Sequence, residues 1–211
     1  MANVFLLENE QGLMLIDAGM PGDEQQILKF INQTSTKELR LIFITHAHLD
    51  HYGALGRLSR ATGAPVAIHR ADAAAMSTGE TGLGSPRGRG VLLAGIFPLV
   101  RMLFPLEPVK ADLIADDGQD LTAFGFPARI IHTPGHTPGS STLLLEEHTA
   151  FVGDLLTNSG EPRLQRYFAD DWNELESSFW RLISLEPHKI YTGHGRNPIN
   201  HDQIRTLSNG W

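Results

Sequence analysis

Directly after the apolar run Leu41-Ile42-Phe43-Ile44, the chain places His46-Ala47-His48-Leu49-Asp50-His51, three imidazoles and a carboxylate within six residues. A short, wholly apolar run is a strand buried on both faces. Polar groups crowded at its carboxyl end sit where layered α/β folds place their sites. Neutral imidazole nitrogens and carboxylate oxygens are the ligands a borderline cation such as Zn2+ takes. Two histidines at i and i+2 of an extended segment point to the same side and can share one ion, which leaves Asp50 and His51 for a second. The competing reading is a polar surface loop that happens to be rich in histidine, and three histidines with an acid weigh against it.

Composition narrows the partners. The 211 residues are 41% hydrophobic and 19% charged, which predicts one globular domain over 1–211 with an insertion at 77–109. A formal charge of -7 disfavours nucleic acid, because phosphate binding relies on clustered Lys and Arg. With no cysteine, any metal site is confined to His, Asp, Glu and water. Residues 1–7 lack the basic region and small-residue cleavage site of a signal peptide, so a cytoplasmic chain is expected. The most apolar stretch, 91–106, is interrupted by Pro98, Arg101 and Pro105 and falls short of the about 20 residues a span requires. No membrane partner is expected.

Along the chain, 3–7 and 13–17 read as strands around an Asn9-Glu10-Gln11-Gly12 turn. Asp23 with Gln26 resembles a capping box for a helix to about residue 32, with Ile27, Leu28 and Ile31 as its apolar face. A helix over 52–60, a strand at 66–69 and a helix near 71–76 follow. Residues 78–90 contain five glycines and read as a flexible loop. The apolar 91–106 is expected to fold over the body, since such a stretch needs a surface to cover. In the second half Leu113, Leu121, 128–132, 141–145 and 150–153 read as strands or strand ends. Residues 172–185 read as a helix with Asp171 and Glu174 as a capping box, 188–192 as a last strand and 203–207 as a terminal helix. Two strand-rich halves, each closed by helices, predict two facing sheets with helices outside.

Three more loops offer ligands. His136 lies in Thr133-Pro134-Gly135-His136-Thr137-Pro138-Gly139-Ser140, a turn that fixes its imidazole. Asp154 ends an apolar strand, and His194 sits between Gly193 and Gly195, which permit close backbone approach. Asp17, ending another apolar strand, either orients a ligand or caps the turn at Gly19. His132, at a strand end before the His136 loop, is assigned no role, and His69, His148, His188 and His201 read as exposed or satisfied.

Leu15-Ile16-Asp17-Ala18-Gly19, Thr45 through His51, Thr133-Pro134-Gly135-His136-Thr137, Val152-Gly153-Asp154 and Thr192-Gly193-His194-Gly195 resemble, in order, the five motifs of the metallo-β-lactamase fold superfamily. The resemblance implies an α/β fold, a four-layer αββα sandwich. It implies one metal on His46, His48 and His136, a second on Asp50, His51 and His194, and Asp154 bridging them. Two zinc ions are the first expectation, with iron or manganese accepted by the same donors. The implied chemistry is attack on a carbonyl by a hydroxide held between the metals, with Asp50 as the catalytic group that orients it and carries a proton to the leaving group.

The set of five histidines and two aspartates resembles glyoxalase II type thioesterases and acyl-homoserine lactonases, and departs from β-lactamases that use a cysteine ligand or lack the bridging aspartate. Lactonases carry Tyr three residues after the bridging aspartate, where this chain has Thr157. Glyoxalase II enzymes carry a longer glutathione-binding region after the last ligand than residues 195–211 provide. The expected substrate is a small molecule with a thioester, lactone or ester bond. An acyl part is expected if 91–106 roofs the cleft, and a homodimer if that segment instead pairs two subunits. The alternative is an oxidoreductase resembling the mono-iron persulfide dioxygenases, which share nearly the same motif.

Overall fold

The computed structural model describes residues 2–209, so Met1, Gly210 and Trp211 of the expected domain lie outside the described residues. The first sheet begins with the hairpin β1 (Phe5–Asn9) and β2 (Gly12–Ile16). It continues through the parallel strands β3 (Leu39–Ile44), β4 (Val66–His69) and β5 (Leu113–Ala115), in spatial order β1-β2-β3-β4-β5. The second sheet takes β6 (Gln119–Asp120), β7 (Ala128–His132), β8 (Ser141–Leu145) and β9 (Thr149–Phe151). The chain then forms β10 (Leu156–Asn158) and β11 (Arg163–Leu164) of a small separate sheet. It re-enters the second sheet as β12 (Lys189–Tyr191), crosses to the small sheet as β13 (His194–Gly195), and ends the second sheet with β14 (Ile199–Asn200).

Period-2 side-chain alternation sorts the strands' apolar residues into three cores. Met14, Ile16, Leu41 and Phe43 of the first sheet meet Ala128, Ile130, Leu143 and Phe151 of the second in one buried cluster between the sheets. From the opposite face of the first sheet, Leu13, Leu15, Ile42 and Ile44 pack under the helices α1 (Glu24–Thr34), α3 (Leu55–Thr62) and α4 (Arg70–Thr78). Between α1 and α3 the single turn α2 (Leu49–Tyr52) carries part of the His-rich motif. Beyond the helix α5 (Gly90–Leu103), the outer face of the second sheet is covered by α6 (Trp172–Ser184) and α7 (His201–Asn209), through Leu175, Phe179, Leu182 and Ile204. The layers run αββα, as expected.

Several local expectations are corrected. Asp23 does not cap α1: its backbone is helical and its carboxylate accepts from the Met20 N–H at 2.8 Å instead. The helix expected over 52–60 is two pieces, because Gly53 donates its N–H to the Gly19 carbonyl and breaks the run. Leu113 belongs to the first sheet, paired in parallel with Ala67, since the chain completes that sheet before crossing over. Leu121 follows β6 and leads into a 3-10 turn. At α6, by contrast, Asp171 caps as read, accepting from the Asn173 and Glu174 N–H groups. The apolar segment 91–106 is mostly helix, α5, with Pro98 inside it removing one backbone donor.

Candidate metal centre

Every ligand candidate stands at or just beyond the carboxyl end of a strand. His46 follows β3, and His48 is extended (φ -100°, ψ 152°) at the head of α2, which carries Asp50 and His51. His136 lies between β7 and β8, Asp154 follows β9, and His194 opens β13 after β12. The groups His46/His48/His136, His46/His51/Asp154 and Asp50/His51/His194 each bring their donor atoms within 4.8 Å of one another. His46 Nε2 and His48 Nδ1 are 3.1 Å apart. Asp154 reaches both sides, with Oδ2 3.6 Å from His136 Nε2 and 3.3 Å from His194 Nε2, and Oδ1 3.4 Å from His51 Nε2. Asp50 Oδ2 lies 3.3 Å from His194 Nε2. The structure therefore brings together all seven residues singled out in the sequence.

The far side of three of the rings is held by a partner that turns the other nitrogen inward. His136 Nδ1 pairs with the Phe168 carbonyl at 2.8 Å, and His46 Nδ1 with Thr45 Oγ1 at 3.1 Å. His51 Nδ1 pairs with Asp17 Oδ2 at 2.7 Å. Asp17 sits at φ 61°, a left-handed conformation uncommon outside glycine, and its other contacts hold it there: Oδ1 accepts from the Thr45 N–H at 2.8 Å and both oxygens face the Thr45 hydroxyl. Of the two roles open to Asp17, the structure selects orientation of His51. Gly193 is a close-approach position, since a Cβ there would run into Asp154 Oδ1 and the His51 ring.

Sequence reading missed Asp72. Buried in α4, it accepts from the Ala47 N–H at 2.8 Å, the Thr137 hydroxyl at 2.7 Å and the Gly139 N–H at 2.7 Å, tying the His46–His48 loop to the His136 loop. Its only local signal was an acid in the first turn of a helix. Among the remaining histidines, His69 accepts from the Ala71 N–H and stacks on His132, and His148 stacks on His188, so these four have structural partners.

Charge divides the site. Burial, reinforced by neighbouring imidazoles, holds His46 well below the usual histidine range, takes His48 down to about 3 and lowers His136. Burial also works against protonated His51 and His194, but carboxylates outweigh it. Asp17, Asp50 and Asp154 raise His51 well above its usual value, and Asp154 with Asp50 raises His194 to about 10. Burial would raise Asp50 and Asp154, yet the facing His51 and His194 hold both below the usual carboxylate range. His46, His48 and His136, held neutral, and the ionised carboxylates are already in their ligand forms, whereas His51 and His194 would give up a proton on binding a cation.

The donors fit a bound cation on a further observation. His51 Nε2, His136 Nε2 and Asp154 Oδ1 are buried and make no hydrogen bond, although His51 Nε2 and Asp154 Oδ1 are close. Each such atom costs about 1–3 kcal/mol unless something else satisfies it, and all three face the same cluster of donors. Above them opens a cavity of about 540 Å³ that reaches His48, Asp50, His136, Asp154 and His194. Its apolar wall includes Leu49, Leu83, Phe97, Val100, Phe104 and Phe168. Thus α5 lines the cleft with one side, while most of its large side chains remain exposed, Leu92 by 78%.

Fold and donor set together define an αββα protein with a candidate histidine–aspartate metal site at its strand ends. The chain belongs to the metallo-beta-lactamase superfamily, whose family model matches residues 1–194. It is 27% identical to the probable metallo-hydrolase YflN of Bacillus subtilis, over 92% of this chain and 80% of that protein. To hydroxyacylglutathione hydrolase GloC of Haemophilus influenzae it is 28% identical, over 89% of this chain and 82% of that protein. The crystal structure of TTHA1623 in a di-iron-bound form matches with a TM-score of 0.73 and 29% identity, covering 97% of this chain and 92% of that one. No helix among the described residues is long and apolar enough to cross a membrane.

Proposed function

We propose that this chain is a metal-dependent hydrolase that cleaves a carbonyl ester-type bond, a thioester, lactone or ester, in a small molecule with an apolar acyl part. His46, His48 and His136 would hold one divalent cation, and Asp50, His51 and His194 a second, with Asp154 offering an oxygen to each. Zinc suits this nitrogen and oxygen set, as do iron and manganese. The observation that carries the reading is the convergence of three buried, unpaired donor atoms on those groups beneath one cavity. Bound there, two such cations would supply Lewis-acid polarisation of a carbonyl and a water acidified to near-neutral pKa.

The chain's own residues do the rest. Asp50, 29% exposed at its side chain, is ionised and faces the cavity, so a carboxylate oxygen is free to orient the attacking water, accept its proton and deliver it to the leaving group. Asp17 and the Phe168 carbonyl hold His51 and His136 in fixed orientation, so little reorganisation accompanies turnover. The apolar wall from α5 and Phe168 excludes water from the acyl side and supports an acyl substrate, as does the name of the GloC relative.

The test is purification under anaerobic conditions, followed by a panel of thioesters, lactones and esters with oxygen uptake recorded in parallel. Metal-dependent cleavage of at least one class, without oxygen uptake, is the expected result. One iron per chain with oxygen consumed on glutathione persulfide, and no hydrolysis, would move the protein to the dioxygenase-like alternative.

A further inference from the structure

Leu92, Ile96, Leu99 and Leu103 are spaced i, i+4, i+7 and i+11, so they form one stripe along α5, flanked by Val91 and Met102. All six are at least half exposed, from 54% at Leu99 to 78% at Leu92. Large exposed apolar residues elsewhere among the described residues, Phe30, Ile114 and Trp180, are scattered singly. A contiguous apolar face of this kind marks an interaction surface. Its chemistry is further defined by charge. Between Glu80 and Glu107 the chain has no acid and three arginines, in a protein of net charge -7. Arg101 is turned inward, donating to the Gly79 and Thr81 carbonyls, and so anchors α5 to the loop before it. Arg87 and Arg89 are exposed at the amino end of α5, with Arg87 4.4 Å over the Trp172 ring.

We propose that this outer face of α5 docks on an anionic lipid bilayer, with the apolar stripe entering the boundary between headgroups and acyl chains and Arg87 and Arg89 meeting lipid phosphates. An exposed apolar helical face with cations at its amino end combines the two sources of interfacial binding, apolar burial and attraction to anionic headgroups. Each Arg near an anionic surface adds about five-fold to binding. A second copy of the chain fits less well. Pairing α5 on itself across a two-fold axis would bring Arg87 and Arg89 against the partner's copy of a segment that offers no carboxylate. The expectation of no membrane partner rested on span length, and surface docking needs no span. The opposite side of α5, at Phe97, Val100 and Phe104, lines the cavity, so docking would set the cleft beside the acyl region of the bilayer.

Co-sedimentation with vesicles tests this without substrate, so its failure would leave the hydrolase reading untouched. The full chain should bind vesicles of phosphatidylcholine with about 30% phosphatidylglycerol at least ten-fold more tightly than pure phosphatidylcholine. Arg87→Ser with Arg89→Ser should weaken that binding about 25-fold, and Leu92→Glu with Leu99→Glu should abolish it. Because the chain has no cysteine, Leu99→Cys labelled with an environment-sensitive fluorophore gives a second readout, a blue shift on anionic vesicles. Absence of both sedimentation and shift would overturn the proposal. So would binding unaffected by the glutamate pair, or a lipid-free dimer in sedimentation velocity that the same pair dissociates, which would assign the face to a second copy.

Discussion

Below the cleft, His46, His51 and His136 are buried to 2% exposure or less, and the outer nitrogen of each ring is committed to Thr45, Asp17 or the Phe168 carbonyl. Above it, α5 keeps only Gly90 buried and presents a row of half-exposed aliphatic side chains. The floor is specified by directional contacts that tolerate no substitution of kind, whereas the roof is specified by apolar character and shape, which many side chains supply. Under the proposed function, the floor would carry the reaction class, and the roof the choice of substrate and surroundings.

The largest effects should come from the floor. Replacing His46 or Asp154 with Ala should cost on the order of 10³ in kcat/KM, read by steady-state kinetics on the best substrate of the panel. Asp50→Ala should lower kcat by about 10²–10⁴ with KM nearly unchanged, and an equal rise in KM would remove its assigned role. Asp72→Ala leaves the Ala47 and Gly139 N–H groups without an acceptor and the Thr137 hydroxyl with Ser140 Oγ alone, so urea denaturation should show a loss of roughly 3 kcal/mol. Asp17→Asn should weaken metal affinity about 10–100-fold in chelator competition while the fold persists, since it acts through His51. Leu92→Ser on the roof should change stability by no more than about 0.5 kcal/mol and leave turnover of a soluble substrate as it was. A roof substitution that matched a floor substitution in effect would break the contrast between the two.

Legibility in the sequence follows the same division. The seven candidate ligands were readable because imidazoles and carboxylates cluster at the ends of apolar strands, and β4, β7 and β8 were bounded to the residue by their apolar content and flanking turns. Asp72 was not, because its role depends on Thr137 and Gly139, 65 and 67 residues away, which no local pattern encodes. The false cap at Asp23 has a different origin: a competing local turn claims its carboxylate, which accepts from the Met20 N–H three residues earlier instead of from the helix. For α5, hydrophobicity announced an apolar segment but not which side would face the cavity and which would stay exposed.

The measurement that bears most directly on the two-cation centre is metal content per chain after gel filtration, for the wild type and for His194→Ala. Two equivalents in the wild type falling to one in the variant, with His46, His48 and His136 still holding theirs, is the expected result. A single equivalent in both proteins would contradict it.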